Sequence, residues 1–178
     1  MRGYFAIGAE RISKPMNLGG LLRSAHAFGA SFFFTIAPAF DARQVKLSDT
    51  SDASRHLPLY CYATVEEVAL PRGCVLVGIE LTEEAVDLPS FRHPQAAAYV
   101  LGPERGSLSE PLQARCAHIV RIPTRFCVNV GTAGAIVMYD RMMSSGRFAR
   151  RPVGTRARPE ASAEHVHGGP LRRGPRAR

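Results

Sequence analysis

The sequence predicts one α/β domain, a parallel sheet flanked by helices over residues 1–148, followed by a disordered basic tail over residues 149–178. Short apolar runs alternate with segments of helical periodicity, which indicates strands joined by crossover helices. The runs CVLVGI and AAAYVL are apolar without interruption, as strands covered on both faces are. The arginine-, proline- and glycine-rich composition of the last residues separates the tail from the domain.

Five strands are predicted in chain order: Tyr4–Ile7, Ser31–Ala37, Cys74–Leu81, Ala97–Leu101 and His118–Ile122. Helical periodicity predicts the intervening helices: Leu18–Phe28, Thr64–Leu70, Glu110–Cys116 and Asn129–Met143. In the first helix, Asn17 stands where an N-cap is expected, and Gly29 stands where the chain leaves the helix.

The tail carries most of the excess positive charge. Residues 150–178 hold eight arginines and two glutamates, a net charge of +6, and the other 149 residues carry +2. With almost no large apolar residues, this segment cannot offset the entropy of ordering, so we expect it to be disordered. Two roles stay open: a flexible clamp on RNA phosphates, or a solubilising tail with no specific partner.

Several classes of site and location are not favoured. No stretch approaches the ~18 uncharged apolar residues of a membrane span, and the first residues do not form a signal peptide, so we expect a cytoplasmic protein with no membrane association. The four cysteines lie far apart, without a C-x-x-C pair or matching histidines. We therefore expect no metal site and no disulfide, but reduced, mostly buried thiols.

Three motifs carry polar residues that packing alone does not require. The first is Asn17-Leu-Gly-Gly-Leu-Leu-Arg23, in which Arg23 falls mid-helix between buried neighbours. The second, Leu101-Gly-Pro-Glu-Arg-Gly-Ser-Leu-Ser109, follows a buried strand with a glycine-containing turn, where α/β proteins bind ligands. Taken singly, Arg23 could extend to solvent, Asn17 could be only a cap, and the turn could simply reverse the chain.

The third motif runs from Ile122-Pro123 through a tight loop to a helix that opens at about Asn129. Small residues follow at Gly131, Ala133, Gly134 and Ala135. Such a helix face permits close approach of a ligand or of another helix. The alternative is ordinary packing against the domain's own sheet.

In their order and spacing, the three motifs resemble those of the SpoU/TrmH RNA 2′-O-methyltransferases over about residues 15–143. The resemblance implies a SPOUT fold with a C-terminal trefoil knot, S-adenosyl-L-methionine as cofactor, and a homodimer whose active site uses both subunits. It also implies a cofactor pocket lined by Leu81, Leu101, Gly102, Glu104, Gly106, Ile122, Cys127 and Asn129. Cys127 stands where serine is usual, and Pro103 stands where many members have asparagine.

By the same resemblance, the catalytic set is Arg23, Asn17, Glu104 and Asn129. Because a guanidinium with a pKa above ~12 is a poor base, we expect Arg23 to bind a phosphate and stabilise developing alkoxide charge. Asn17 is expected to orient Arg23 or the ribose. Glu104 is expected to position the loop and hydrogen-bond the substrate.

The expected substrate is structured RNA, with tRNA favoured over rRNA because the chain begins almost directly at the first motif. A catalytically silent RNA-binding paralogue is the alternative. A dinucleotide-dependent oxidoreductase is not favoured, since no G-x-G-x-x-G follows a strand. We expect the homodimer to form through the first and last helices, with apolar area supplied by Val130, Ile136, Val137 and Met138.

Overall fold

The computed structural model describes residues 3–39 and 55–146, and within those ranges seven parallel strands form one sheet. The strands are β1 (Phe5–Glu10), β2 (Phe32–Ile36), β3 (Leu59–Tyr62), β4 (Val75–Ile79), β5 (Val86–Asp87), β6 (Ala97–Leu101) and β7 (His118–Arg121), in the spatial order β3-β2-β1-β6-β4-β7-β5. The helices are α1 (Pro15–Ala27), α2 (Glu110–Arg115) and α3 (Val130–Ser145), with a 3₁₀ turn at Leu88–Ser90. The predicted tail, residues 149–178, lies outside the described residues.

The sheet separates two apolar cores, as the uninterrupted strand sequences predicted. Along β6, Tyr99 and Leu101 belong to the core that α1 and α3 cover, whereas Ala98 and Val100 belong to the core that α2 covers. Alternate side chains of a strand point to opposite faces, so a strand buried on both faces must be apolar throughout. All five β6 residues are buried.

The five predicted strands are all present, with ends that differ by up to three residues, and Ala97–Leu101 matches as predicted. The sequence prediction missed β3 and β5. Strand β3 is an edge strand whose residues are half-buried or exposed, and β5 has two residues. Strand β5 is too short to produce a pattern, whereas the apolar and aromatic run Leu59–Tyr62 was an available signal for β3.

The helix predicted at Thr64–Leu70 is wrong, since this segment forms turns. Val65 and Val68 are buried in the α2-side core, which explains their helix-like spacing. Both carbonyl groups accept hydrogen bonds from the Arg115 guanidinium, and that of Val65 also accepts from the Val68 N–H (3.2 Å), a single turn that does not continue as a helix.

Helix α1 begins three residues before its predicted start, so the N-cap assignment of Asn17 is wrong. Lys14 is the N-cap and Pro15 is the first helical residue, where its fixed φ suits the helix. The predicted C-terminal signal is confirmed: Gly29 has φ +74°, and its N–H donates to the carbonyl of His26 (3.0 Å). Glycine reaches this left-handed conformation without steric cost.

The small residues of α3 serve the chain's own packing. A Cβ atom on Gly134 would lie 2.1 Å from Leu21 Cδ1, and one on Gly131 would lie 3.5 Å from the carbonyl oxygen of Asn17. These glycines therefore allow α1 and α3 of one chain to approach closely. At Gly131 and Gly134 the helix that approaches is therefore α1 of the same chain, and contact of this helix with a second subunit stays a prediction.

The cysteines are all free thiols. Cys61 and Cys127 are exposed, whereas Cys74 and Cys116 are partly buried, so the expectation of mostly buried thiols is wrong. Burial raises the pKa of Cys116 to about 11. In the parts of the chain that the structure describes, no helix is long and apolar enough to cross a membrane.

Candidate active site

One cavity of about 360 Å³ opens at the carboxyl ends of the central strands. Strands β1, β6, β4 and β7 are consecutive neighbours in the sheet, so the segments that follow them meet at one edge. The loops after β4, β6 and β7 form the walls, and the first turn of α1 closes one side. Ligands in open parallel sheets bind at this position.

All eight residues predicted for a cofactor pocket line this cavity: Leu81, Leu101, Gly102, Glu104, Gly106, Ile122, Cys127 and Asn129. Asn17, from the predicted catalytic set, lines it as well. Residues of three separate motifs are thus brought to one space by the parallel topology. Arg23 is not among the lining residues.

The Glu104 carboxylate binds the start of α1. One carboxylate oxygen accepts from the backbone N–H (3.0 Å) and hydroxyl (2.9 Å) of Ser13, and the other accepts from the backbone N–H of Lys14 (2.9 Å) and from Asn17 Nδ2 (3.0 Å). The N–H groups at a helix start have no partner within the helix. Glu104, which is 90 residues from Lys14 in the chain, supplies a hydrogen-bond acceptor for these N–H groups, and so it fixes the loop after β6 to α1.

Two asparagines continue this network across the cavity wall. Asn129 Nδ2 donates to Asn17 Oδ1 (2.8 Å), so Asn17 bridges Glu104 and Asn129. Asn129 is the N-cap of α3, and its Oδ1 accepts from the N–H groups of Gly131 (2.9 Å) and Thr132 (3.3 Å). Each asparagine has a defined amide orientation because its oxygen and its nitrogen both have partners.

Glu104 is held as a carboxylate. Partial burial acts to raise its pKa, but the hydrogen bonds from the Ser13 backbone, the Asn17 amide and the Lys14 backbone favour the charged form and lower the pKa to about 2. A group with this pKa stays ionised at neutral pH and is a weak base.

Sequence reasoning missed two further carboxylates at this edge of the sheet. Glu80 follows β4 and lines the cavity, and its Oε2 accepts from the Leu108 N–H (2.8 Å). Glu10 ends β1, is 2% exposed, and accepts from the backbone N–H of Ser109 (2.8 Å) and from its hydroxyl. The sequence did carry a signal for both residues, since each is a glutamate at the end of an apolar strand segment. Together with Glu104, these groups hold both ends of the loop between β6 and α2.

Arg23 lies apart from this network. It is exposed on α1, and in the described parts of the chain it makes no hydrogen bond or ion pair. The expectation that Asn17 orients Arg23 is wrong within one chain, because the Asn17 amide is already bound to Glu104 and Asn129. Residues six positions apart on a helix do not share a face.

The family described as SpoU rRNA Methylase matches residues 4–139, most of the chain. The chain is 28% identical over 141 residues to tRNA (guanosine(18)-2'-O)-methyltransferase TARBP1 of Mus musculus, covering 74% of this chain and 9% of that protein. It is 27% identical over 163 residues to the 23S rRNA (uridine(2479)-2'-O)-methyltransferase of Streptomyces viridochromogenes, covering 84% and 56% respectively. The chain therefore spans little more than half of one relative and a small part of the other.

Solved structures share the fold. The SpoU methyltransferase AviRb of Streptomyces viridochromogenes, in complex with the cofactor AdoMet, superposes with a TM-score of 0.73 at 25% identity, covering 83% of this chain and 60% of that one. The A. aeolicus TrmH/SpoU tRNA modifying enzyme superposes with a TM-score of 0.66 at 16% identity, over 81% of this chain and 76% of its own. At that identity the second likeness shows the fold alone.

Proposed function

The chain belongs to the SpoU rRNA methylase family, and we propose that it transfers a methyl group from S-adenosylmethionine to a ribose 2′-hydroxyl of RNA. The observation that carries this proposal is the single cavity lined by all eight residues that the resemblance implies. Three separate motifs contribute to it, at the sheet edge where parallel α/β folds bind ligands.

The cavity suits a sulfonium nucleoside in size and chemistry. Its volume of about 360 Å³ falls within the range of small-molecule sites. Ile79, Leu101, Ile122 and Val128 supply apolar walls for an adenine ring, and the Glu80 carboxylate and loop backbone supply polar groups. When bound, S-adenosylmethionine supplies an electrophilic methyl group.

Within one chain, the polar residues build and hold the site. Glu104 stays ionised and accepts four hydrogen bonds, so its role is to fix the loop Gly102–Gly106 against α1 rather than to remove a proton. Asn17 and Asn129 tie that loop to the start of α3. Transfer of a methyl group requires mainly the alignment of two reactants, which a rigid wall provides.

We propose further that the enzyme is a homodimer with an active site shared between subunits. Arg23 is the residue expected to bind the RNA phosphate, yet it is exposed and does not line its own chain's cavity. The outer surfaces of α1 and α3 also carry apolar side chains, Met16 at 85% and Tyr139 at 44% exposure. Both observations fit an arrangement in which Arg23 of one subunit reaches the cavity of the other.

Subunit mixing tests this arrangement. Arg23→Ala should bind S-adenosylhomocysteine within a few-fold of wild type and lose most methyl transfer. Leu81→Trp should fill the cavity and lose S-adenosylhomocysteine binding, since Leu81 lines it at a partly exposed position. Mixed dimers of the two inactive variants should regain activity, because one intact composite site forms. A mixture without activity, or a wild-type enzyme that sediments as an active ~19 kDa monomer, would refute the shared site.

The reaction itself is tested by calorimetric titration with S-adenosylhomocysteine and by methyl transfer to RNA. Saturable binding and label in the ribose are the expected results. RNA binding without S-adenosylhomocysteine binding would instead support the alternative of a catalytically silent RNA-binding paralogue.

As RNA class we propose tRNA before rRNA, and the similarity to the tRNA-directed mouse protein supports this order. A relative of comparable identity is named for 23S rRNA. Mapping ribose methylations by mass in a deletion strain would decide between them.

We also propose that the C-terminal segment is knotted. The support is the resemblance to the SpoU/TrmH family, which implies a SPOUT fold whose C-terminal segment is knotted. In this chain α3 is anchored to residues 93–95, where His93 Nε2 pairs with Asp140 Oδ2 (2.9 Å) and Arg141 donates to the Pro94 carbonyl (2.7 Å). When the chain is pulled from its two termini, its fully extended length should then be shorter than the ~3.3–3.6 Å per residue of an unknotted chain, because the tightened knot retains residues.

We propose the cytoplasm as the cellular compartment. A fluorescent fusion protein found elsewhere would refute this.

A further inference from the structure

A second cleft of about 340 Å³ adjoins the proposed cofactor cavity, and three of its six lining residues are cationic. The two spaces share Lys14, Pro103 and Glu104, and the second is completed by Arg11, Ser13 and Arg105. Three positive side chains thus surround a space that opens beside the proposed site of methyl transfer. We propose that this cleft, here called the basic cleft, binds a phosphodiester group of the RNA next to the methylated ribose.

The basic cleft has charge available for a ligand. Lys14 and Arg105 are exposed, and neither side chain has a hydrogen-bond or ion-pair partner in the described parts of the chain. The carboxylate in the cleft, Glu104, already accepts four hydrogen bonds from Ser13, Lys14 and Asn17. Three cations against Glu104 and the Glu10 carboxylate beside Arg11 leave a net charge of +1, and the two unpaired cations favour a phosphate.

Arg11 is held in place before any ligand arrives. Its φ of +49° is a conformation that non-glycine residues seldom adopt, and its backbone N–H donates to the Ile36 carbonyl (2.8 Å). Its Nη2 donates to the Ser107 carbonyl (2.8 Å), and its Nε lies 4.0 Å from a buried Glu10 oxygen. A guanidinium has five N–H donors, so others remain for a phosphate oxygen. Strained backbone at a cleft is a recurrent feature of functional sites.

The chemistry of the substrate matches this position. A ribose whose 2′ oxygen meets the cofactor methyl group carries its phosphates within one nucleotide's length. In this arrangement the ribose lies in the cofactor cavity and its phosphate lies in the basic cleft, with the shared wall between them. This inference rests on the proposed function for its ligand, and it adds the residues that hold the backbone.

The test removes the two unpaired cations. Lys14→Ala with Arg105→Ala leaves the Lys14 backbone N–H on Glu104, so the fold should be unchanged. Because Lys14 also lines the cofactor cavity, Arg105→Ala alone, which lines only the basic cleft, is the variant that should keep S-adenosylhomocysteine affinity within about twofold. The probe is fluorescein-labelled total tRNA, titrated at several salt concentrations. We expect the Kd to rise tenfold or more at 0.1 M salt and the slope of log affinity against log salt to fall by about 0.7–0.9, the value for one phosphate contact. The matched control, Arg72→Ala with Arg92→Ala, removes the same charge from exposed positions before β4 and β6, near the amino ends of the strands.

The outcomes separate the competing explanations. Equal weakening by both double variants would mean that only net charge matters, and would overturn the proposal. Unchanged tRNA affinity with weakened S-adenosylhomocysteine binding would assign the cleft to the cofactor's carboxylate and overturn it too. Cleft-dependent tRNA binding in a wild-type protein that binds no S-adenosylhomocysteine would uphold the basic cleft while the methyltransferase proposal fails.

Discussion

Glu104→Gln should destabilise the protein by an amount that depends on pH. The change keeps the size of the side chain but removes the charge that four donors from Ser13, Lys14 and Asn17 surround. The glutamine amide also presents N–H groups to a site built entirely of donors. Cohesion between the loop after β6 and α1 should fall, and with it the free energy of unfolding.

The magnitude follows from the pKa of Glu104, which is lowered from 4.5 to about 2. At about 1.36 kcal/mol per pH unit, this difference is worth at most about 3.4 kcal/mol. Because the carboxylate is only partly buried, solvent screens the interaction, and we expect about 2 kcal/mol. For a chain of this size that corresponds to about 4–8 °C in Tm.

The pH dependence has a defined sign. A carboxylate whose pKa is lower in the folded state stabilises fully above its unfolded-state pKa of about 4.5, and this stabilisation is lost as pH falls towards 2. The difference between wild type and variant should therefore be constant from pH 7 to about pH 5 and should fall by about half at pH 3.

Urea unfolding followed by far-ultraviolet circular dichroism at pH 7, 5 and 3 measures this difference. Glu84→Gln is the matched control, since Glu84 is exposed in the turn after β4, and it should stay within about 0.5 kcal/mol of wild type. The reasoning would be refuted by a Glu104→Gln difference that is the same at pH 7 and pH 3, or by one no larger than that of the control.

Three further predictions concern the cavity, the helix contact and the tail. Cys127→Ser should keep S-adenosylhomocysteine affinity and methyl transfer within a few-fold, because it exchanges a cavity-wall thiol for a hydroxyl of similar size; loss of turnover would point to thiol chemistry. Gly134→Ala should cost about 1–3 kcal/mol in urea unfolding, because its Cβ would lie 2.1 Å from Leu21 Cδ1 in the core, whereas Gly20→Ala, with no atom within 4 Å, should stabilise α1 by up to about 1 kcal/mol. Equal effects of the two would contradict the packing account. Deleting residues 150–178, which removes a net charge of +6, should leave unfolding unchanged but flatten the salt dependence of RNA binding; an unaltered slope would mean that the tail does not contact RNA.

The local sequence pattern was sufficient to predict the elements whose side chains are all in the same environment, such as a fully buried strand. Strand β6 was predicted to the residue because a strand buried on both faces must be apolar throughout, and no helix periodicity competes with it. The edge strand β3 was missed although its sequence LYCY is apolar and aromatic throughout, a strand signal that was available. The segment Thr64–Leu70 misled because two buried valines in a turn reproduce helical spacing.

By itself, then, the sequence determined the α/β class and the order of the motifs, and the resemblance of those motifs to the SpoU/TrmH family implied which residues meet at the cavity. Parallel strands bring their carboxyl ends to one edge, which is why the motifs that follow them can share one site. Only the tertiary structure decided the partners. Asn17 looked like a helix cap and instead links Glu104, 87 residues away, to Asn129, 112 residues away. Arg23 lies outside the cavity that its motif helps to build, and the small residues of α3 receive α1 of the same chain. Such pairings depend on which side chains face each other across distant segments, and neither spacing nor composition encodes that geometry locally.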